Sequence, residues 1–191
     1  TGSGDDVISS NAILTTGSVN AGDGADLLIA GALNQVNTAA LGAKFTNFET
    51  LRTIGTLDMD LTLDGITALQ LTGATNNITN MTAVQAAAVK AHGTTIGATT
   101  FALKDATGAS DVLNITLGTG LTTGQAADAS VLTVTGFETL NLITNEGPTA
   151  STADHISVVT GAIVSADLTT VNLTGAAFEF TNVATTKALT M

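Results

Sequence analysis

The sequence predicts a mostly β protein, a parallel β-solenoid or right-handed β-helix with glycine-rich turns and one short helix. Short segments alternate apolar and polar residues, which is the pattern of a strand with one buried face. Similar segments recur about every 20 residues, as in stacked coils. Of the 191 residues, 37 are Thr, a residue that favours the pleated sheet. A β-sandwich stays open, because alternation does not distinguish parallel from antiparallel pairing.

Composition excludes several functional classes. The chain has 5 Lys+Arg against 16 Asp+Glu, a net charge of −11, 44% hydrophobic residues and no Cys. It is too apolar for intrinsic disorder, and too poor in cations to favour nucleic acid or an anionic membrane surface. The apolar run Leu27–Leu33 is far below the ~20 residues of a membrane span. We expect no membrane insertion and no disulfide framework, and we interpret the chain as part of a larger one.

The clearest alternating segment is Leu57–Gly65, which is predicted to be one strand. It places four apolar side chains on one face and a row of Asp58, Asp60 and Asp64 on the other. The remaining predicted strands are Val112–Leu117, Val131–Thr135, Leu140–Leu142, Ile156–Val158, Val171–Leu173 and Phe178–Phe180.

One segment has a helical composition. Met81–His92 is rich in Ala, follows Asn80 or Thr82 as a candidate N-cap, and stops at Gly93. The sequence therefore predicts a single short helix over residues 81–92.

Internal repeats support stacked coils. Phe48–Leu51 returns as Phe137–Leu140, and Thr67–Ala74 resembles Thr169–Ala176. We expect a single β-solenoid unit over residues 1–191, with two calcium-binding coils in residues 1–30 and Thr/Ala-rich coils in residues 31–191.

A metal-binding motif occurs twice near the start of the chain. Residues 1–9 and 21–29 fit G-G-x-G-x-D-x-U-x, the calcium-binding RTX nonapeptide, except that Thr1 and Ala21 replace the first Gly. Glycines let a turn expose backbone carbonyls, and Asp adds the hard oxygen that Ca²⁺ prefers. The offset of 20 predicts that the turns stack with Asp6 and Asp26 flanking a shared ion.

The predicted ligands follow from this motif. They are Gly2, Gly4, Asp5, Asp6, Gly22, Asp23, Gly24 and Asp26. Asp111 and Asp154 also precede strands, but they lack the glycines, so a solvated turn Asp is the favoured interpretation there. The alternative for the main pair is two tight turns in which Asp binds its own backbone.

The order of these motifs resembles that of the RTX-type, calcium-dependent bacterial S-layer proteins of the Caulobacter kind, in their lattice-forming C-terminal region. The matching segments, in order, are Gly2–Ile8, Ser18–Leu28, Asn47–Thr53, Thr67–Leu71, Thr107–Leu117, Glu138–Leu142 and Ala153–Val158. The resemblance implies a secreted, calcium-bearing parallel β-solenoid. It also implies self-assembly at the cell surface, type I export, and contact with cell-surface polysaccharide through other parts of the full-length chain.

Catalysis is not expected. Asp154 and His155 are neighbours, so on a strand they point to opposite faces. A polysaccharide-processing β-helix would need clustered carboxylates such as the row from Asp58 to Asp64, but a solvated strand face explains that row as well. Glu49 and Glu138 recur at equivalent places, which indicates a structural role. A calcium-bound adhesin, or the passenger module of another type I secreted protein, remains the alternative to the S-layer interpretation.

Overall fold

The computed structural model describes residues 2–31, 35–73, 75–119, 128–144, 157–175, 178–188 and 190. Several residues that entered the sequence interpretation lie outside this part of the chain, among them Thr1, Leu33, Asp154, His155 and Ile156. In the described residues, no helix is both long enough and apolar enough to cross a membrane.

The described residues form seventeen strands and two short helices. In the first half of the chain the strands are β1 (Val7–Ser10), β2 (Val19–Asn20), β3 (Leu27–Ala30), β4 (Phe45–Thr46), β5 (Thr50–Thr53), β6 (Thr56–Asp58), β7 (Ala68–Gly73), β8 (Asn76–Met81) and β9 (Val89–Ile96). In the second half they are β10 (Thr99–Leu103), β11 (Val112–Thr119), β12 (Asp128–Ala129), β13 (Leu132–Thr135), β14 (Thr139–Thr144), β15 (Ser157–Ser165), β16 (Thr170–Thr174) and β17 (Phe178–Thr185). The helices are α1 (Ala39–Gly42) and α2 (Ala83–Ala86).

Strand pairing forms two long runs of neighbours. The first runs β1-β3-β5-β7-β9-β11-β14-β16, and the second runs β6-β8-β10-β13-β15-β17. β12 pairs with both β9 and β15 and so joins the runs into one sheet. Every strand pair in the described part of the chain is parallel, which argues against the antiparallel pairing of a typical β-sandwich.

The core consists of side chains that stack in register. In the first run one inward position is aliphatic on six successive strands and at most 2% exposed. These residues are Leu28, Leu51, Leu69, Val89, Ile115 and Leu142. Burying one such side chain stabilises the fold by about 1.5–3 kcal/mol. The apolar positions of the alternating pattern therefore stack into a continuous apolar column in the core.

The helix predicted over residues 81–92 is confined to Ala83–Ala86. Thr82 is its N-cap and forms a capping box with Gln85, but Val89–Ile96 is a strand. Val89 and Ala91 are buried because β9 pairs with β7 on one side and β11 on the other. This pairing prevails over the helical propensity of the Ala-rich stretch, because tertiary context overrides intrinsic preference.

The strand predicted over Leu57–Gly65 is also too long. β6 ends at Asp58, whose Oδ1 accepts a hydrogen bond from the Asp60 amide at 3.0 Å and so starts a turn. Leu61 is consequently 45% exposed while Thr62 is buried, the reverse of the predicted faces. The predicted row of acidic side chains on a single strand face does not form.

Candidate calcium site

The two glycine-rich turns lie one above the other. Gly2 and Gly22 form a parallel bridge, and the Asp23 amide donates to the Gly2 carbonyl at 3.1 Å. At the end of the turns the Leu27 amide donates to the Asp6 carbonyl at 2.9 Å. Stacking at an offset of 20 residues, which the motif predicted, is therefore present.

Glycine is required where the turns approach each other. Gly24 has φ +149°, and a Cβ there would lie 2.6 Å from the Gly4 carbonyl oxygen. Gly22 has φ +103°, and its Cβ would collide with the Gly2 carbonyl oxygen. The turns thus pack backbone against backbone.

Acidic side chains connect successive strands at this corner of the sheet. The Asp6 amide donates to Asp26 Oδ1 at 2.7 Å, and the Asp26 amide donates to Glu49 Oε2 at 2.8 Å. Asp5 Oδ1 accepts from the Ala25 amide at 2.9 Å, so it also links the two turns. We call Asp6, Asp26 and Glu49 the acidic corner. The nonapeptide motif did not include Glu49.

Asp26 is the residue whose environment most suggests a cation. It is fully buried, and its Oδ2 has no hydrogen-bond partner. Burying a carboxylate oxygen without a donor or a cation is costly. Among the described residues the one salt bridge joins Lys104 to Asp60, so no Lys or Arg compensates Asp26.

The oxygen atoms available at the turns are of the type that Ca²⁺ binds. Asp5, Asp6 and Asp26 offer carboxylate oxygens and the glycine turns offer carbonyl oxygens, which are the hard ligands calcium takes. Within the part of the chain that the structure describes, no three His, Asp or Glu side chains are grouped closely enough to hold a metal on their own. An ion at the turns would therefore need backbone carbonyls as well as Asp side chains.

The remaining predicted ligands differ in their surroundings. Gly4 and Asp23 are exposed in the turns, while Asp154 lies outside the described residues. Asp111 does not lie on a stacked glycine turn. The neighbouring Gly108 packs directly against its carboxylate, where a Cβ would lie 2.5 Å from Oδ2.

Asp111 instead repeats the acidic corner of Asp26. Its amide donates to Glu138 Oε2 at 2.8 Å, as the Asp26 amide does to Glu49, and its Oδ2 also has no hydrogen-bond partner. The contact with the next strand is also the same in both places. The Thr67 amide donates to the Glu49 carbonyl, and the Thr169 amide donates to the Glu138 carbonyl, each at 2.9 Å. The sequence signal for this second corner is the repeated motif Phe-Glu-Thr-Leu. In both places the motif follows an Asp and the apolar strand that begins after it.

No protein-family model matches this chain, and no curated protein matches its sequence.

Proposed function

We propose that this chain is a structural segment of a bacterial surface layer, a parallel β-solenoid that binds Ca²⁺ at its stacked turns and assembles with its own copies. The observation that carries the calcium part is the buried, unpartnered Oδ2 of Asp26 beside two stacked glycine turns. The surface-layer part is supported by the order of motifs shared with RTX-type S-layer proteins. An extracellular location and type I export belong to the same proposal.

The register of the sheet supports solenoid winding. Paired residues at the acidic corners are separated by 20, 23 and 27 positions, spacings that suit coils of similar length stacked on one another. An asparagine ladder runs up the second half, with Asn141 Nδ2 donating to Asn114 Oδ1 at 2.6 Å and Asn172 Nδ2 to Asn141 Oδ1 at 2.8 Å. Such ladders require identical positions to stack directly over one another.

In this proposal Asp6 and Asp26, with the carbonyls of Gly2, Gly4, Gly22 and Gly24, hold the ion, and Asp5 and Asp23 are further candidates. Bound Ca²⁺ supplies positive charge at the buried Asp26 carboxylate, which forms no salt bridge with a described Lys or Arg. The chain's own residues then keep adjacent turns in register and present a rigid sheet to neighbours.

An electron-microscopy assay tests this function. The purified protein is freed of metal with a chelator and returned to Ca²⁺ from zero to about 10 mM, a range that covers the affinities of extracellular calcium modules. We expect ordered two-dimensional sheets in negative stain above a threshold calcium concentration. The double variant Asp6→Asn/Asp26→Asn should stay dispersed, because it loses two of the charged ligands.

The matched control is Asp105→Asn/Asp167→Asn, which removes the same charge outside the turns and keeps an oxygen acceptor for the Thr107 and Gly136 amides. It should form sheets like the wild type. Monomers at every calcium concentration would contradict lattice formation, and glycan binding by such monomers would support the adhesin alternative. Sheets that form equally well in chelator would contradict the role of calcium.

A further inference from the structure

A cationic patch lies on the outer face of the first run of strands, and we call Arg52, Lys90 and His92 the basic strip. Arg52 on β5 donates from Nε to Gln70 Oε1 on β7 at 2.8 Å, and Gln70 is in register with Lys90 on β9. His92 lies two residues beyond Lys90 and therefore on the same face. Strands in a sheet are about 4.8 Å apart, so these groups share one small area.

The basic strip has no acidic partner in the described structure. The single salt bridge there joins Lys104 to Asp60, which leaves Arg52 and Lys90 without a carboxylate in a chain of net charge −11. Burial lowers the pKa of His92 and the Arg52 charge lowers it further, as expected for two groups on the same face of the sheet. Two of the five Lys and Arg residues thus form a positive area that faces away from the core.

Aliphatic side chains border the basic strip. Ile29 is in register with Arg52 on the neighbouring strand, and Leu27 and Ile54 lie two residues away along the same face. All three are half-buried, and none belongs to the core or packs against it. The patch therefore combines positive charge with apolar surface.

The turn after β6 offers the complementary chemistry, and we call Asp60–Asp64 the acidic loop. Leu61 is 45% exposed and lies between the exposed carboxylates of Asp60 and Asp64. Thr62 and Leu63, in contrast, are buried and fix the loop to the body of the protein. The loop thus presents one apolar side chain from a fixed position, beside the Asp64 carboxylate, which has no salt bridge among the described residues, whereas Asp60 is paired with Lys104.

We propose that the acidic loop of one copy docks on the basic strip of the next copy, with Leu61 against Leu27, Ile29 and Ile54. This rests on the proposed function, because it names contact surfaces for the self-assembly proposed above. Two different surfaces meet, so the contact is heterologous and propagates into an open array unless rotation closes it. Charge complementarity sets the register and the rate of association, and Leu61 adds buried apolar area.

Charge reversal tests the contact. Lys90→Glu and Asp64→Lys change exposed side chains, and sedimentation velocity in about 10 mM Ca²⁺ measures association. We expect each variant alone to need a protein concentration about tenfold higher than the wild type to associate, because like charges then face each other. An equimolar mixture should associate again, since the new negative charge at position 90 of one variant faces the new positive charge at position 64 of the other.

Lys187→Glu is the matched control at another exposed position, and it should associate like the wild type. Circular dichroism checks that each variant is folded. If the wild type associates and the two variants associate equally well, the docking contact is wrong while the proposed function stands. If the variants fail and their mixture fails too, the pairing of these two surfaces is wrong. A wild type that does not associate overturns both proposals.

Discussion

Gly22 is the residue whose replacement should damage the stacked turns most. Gly22→Ala introduces a Cβ that collides with the Gly2 carbonyl oxygen, at a φ of +103° that L-residues rarely adopt. We expect the free energy of unfolding to fall by about 2 kcal/mol or more, from the backbone strain and the collision together. Urea denaturation followed by circular dichroism measures this change.

Gly17 supplies a matched comparison for this prediction. It also has a positive φ, +76°, but a Cβ there meets no atom within 4 Å. Gly17→Ala should therefore cost only the conformational strain, about 1 kcal/mol. Equal losses at the two positions would show that the close approach of the turns at Gly22 contributes nothing to stability.

The nonapeptide motif predicted how the two turns stack, but it did not include every acidic side chain that lies there. The spacing of 20 was sufficient to place Asp6 under Asp26, since coil stacking follows from the period. Glu49 was missed as a partner of Asp26 because it belongs to a different coil, 23 residues later, and only the fold brings its carboxylate to the Asp26 amide. Calcium itself remains a prediction at these residues.

At the scale of elements, local alternation predicted some of the central strands and missed others. β11 and β14 were expected from alternation alone, and they pair over six consecutive residues. The helix predicted over Met81–His92 was too long, because the helical preference of an Ala-rich stretch is small compared with the tertiary contacts that strand pairing brings. The Thr82 capping box starts a helix locally, but pairing of β9 with two neighbouring strands decides the remainder.

The neighbouring strands β5 and β9 bring Arg52 and His92 together, and this predicts a pH effect on stability. The pKa of His92 is lowered by burial and by Arg52 in the folded protein. The unfolded chain then binds the proton more readily, so His92 should reduce stability as the pH falls through 6.5, until the folded pKa is passed. The variant His92→Gln should gain stability relative to the wild type at acidic pH and match it at pH 8.

Urea denaturation at about pH 5 and about pH 8 measures that difference, since the two values lie on either side of the ordinary His pKa. NMR titration of His92 in the variant Arg52→Gln provides the control. Without the nearby positive charge, the pKa of His92 should move up toward its ordinary value. A pKa unchanged by this substitution would contradict the Arg52–His92 interaction across the strands.

At the scale of the whole molecule, the chain carries a net charge of −11. Its fold is stabilised by parallel strand pairing and by a column of buried aliphatic side chains. Self-repulsion at that charge opposes the compact state, and any salt relieves part of it by screening. A specific calcium site would act differently, because it stabilises only the folded chain and does so through binding. The two effects can be separated by comparing salts at the same ionic strength.

About 10 mM CaCl₂ and about 30 mM NaCl have the same ionic strength, so they screen exposed charges to a similar extent. A site with a dissociation constant of about 10⁻⁴ to 10⁻³ M would add about 1.4 to 2.7 kcal/mol in that CaCl₂ solution. For a domain of this size we expect Tm to rise by roughly 3 to 10 °C beyond the NaCl value. Differential scanning calorimetry measures the rise.

The variant Asp6→Asn/Asp26→Asn separates site binding from the general effect of a divalent ion. It keeps an oxygen acceptor at position 26 for the Asp6 amide, so the turns retain this hydrogen bond while losing two charges. In NaCl it should therefore be at least as stable as the wild type, because repulsion between carboxylates is reduced. In CaCl₂ its additional rise in Tm should vanish. A calcium effect of equal size in both proteins would mean that the ion acts elsewhere on this acidic chain, and the stacked turns would then be held by their glycines and hydrogen bonds alone.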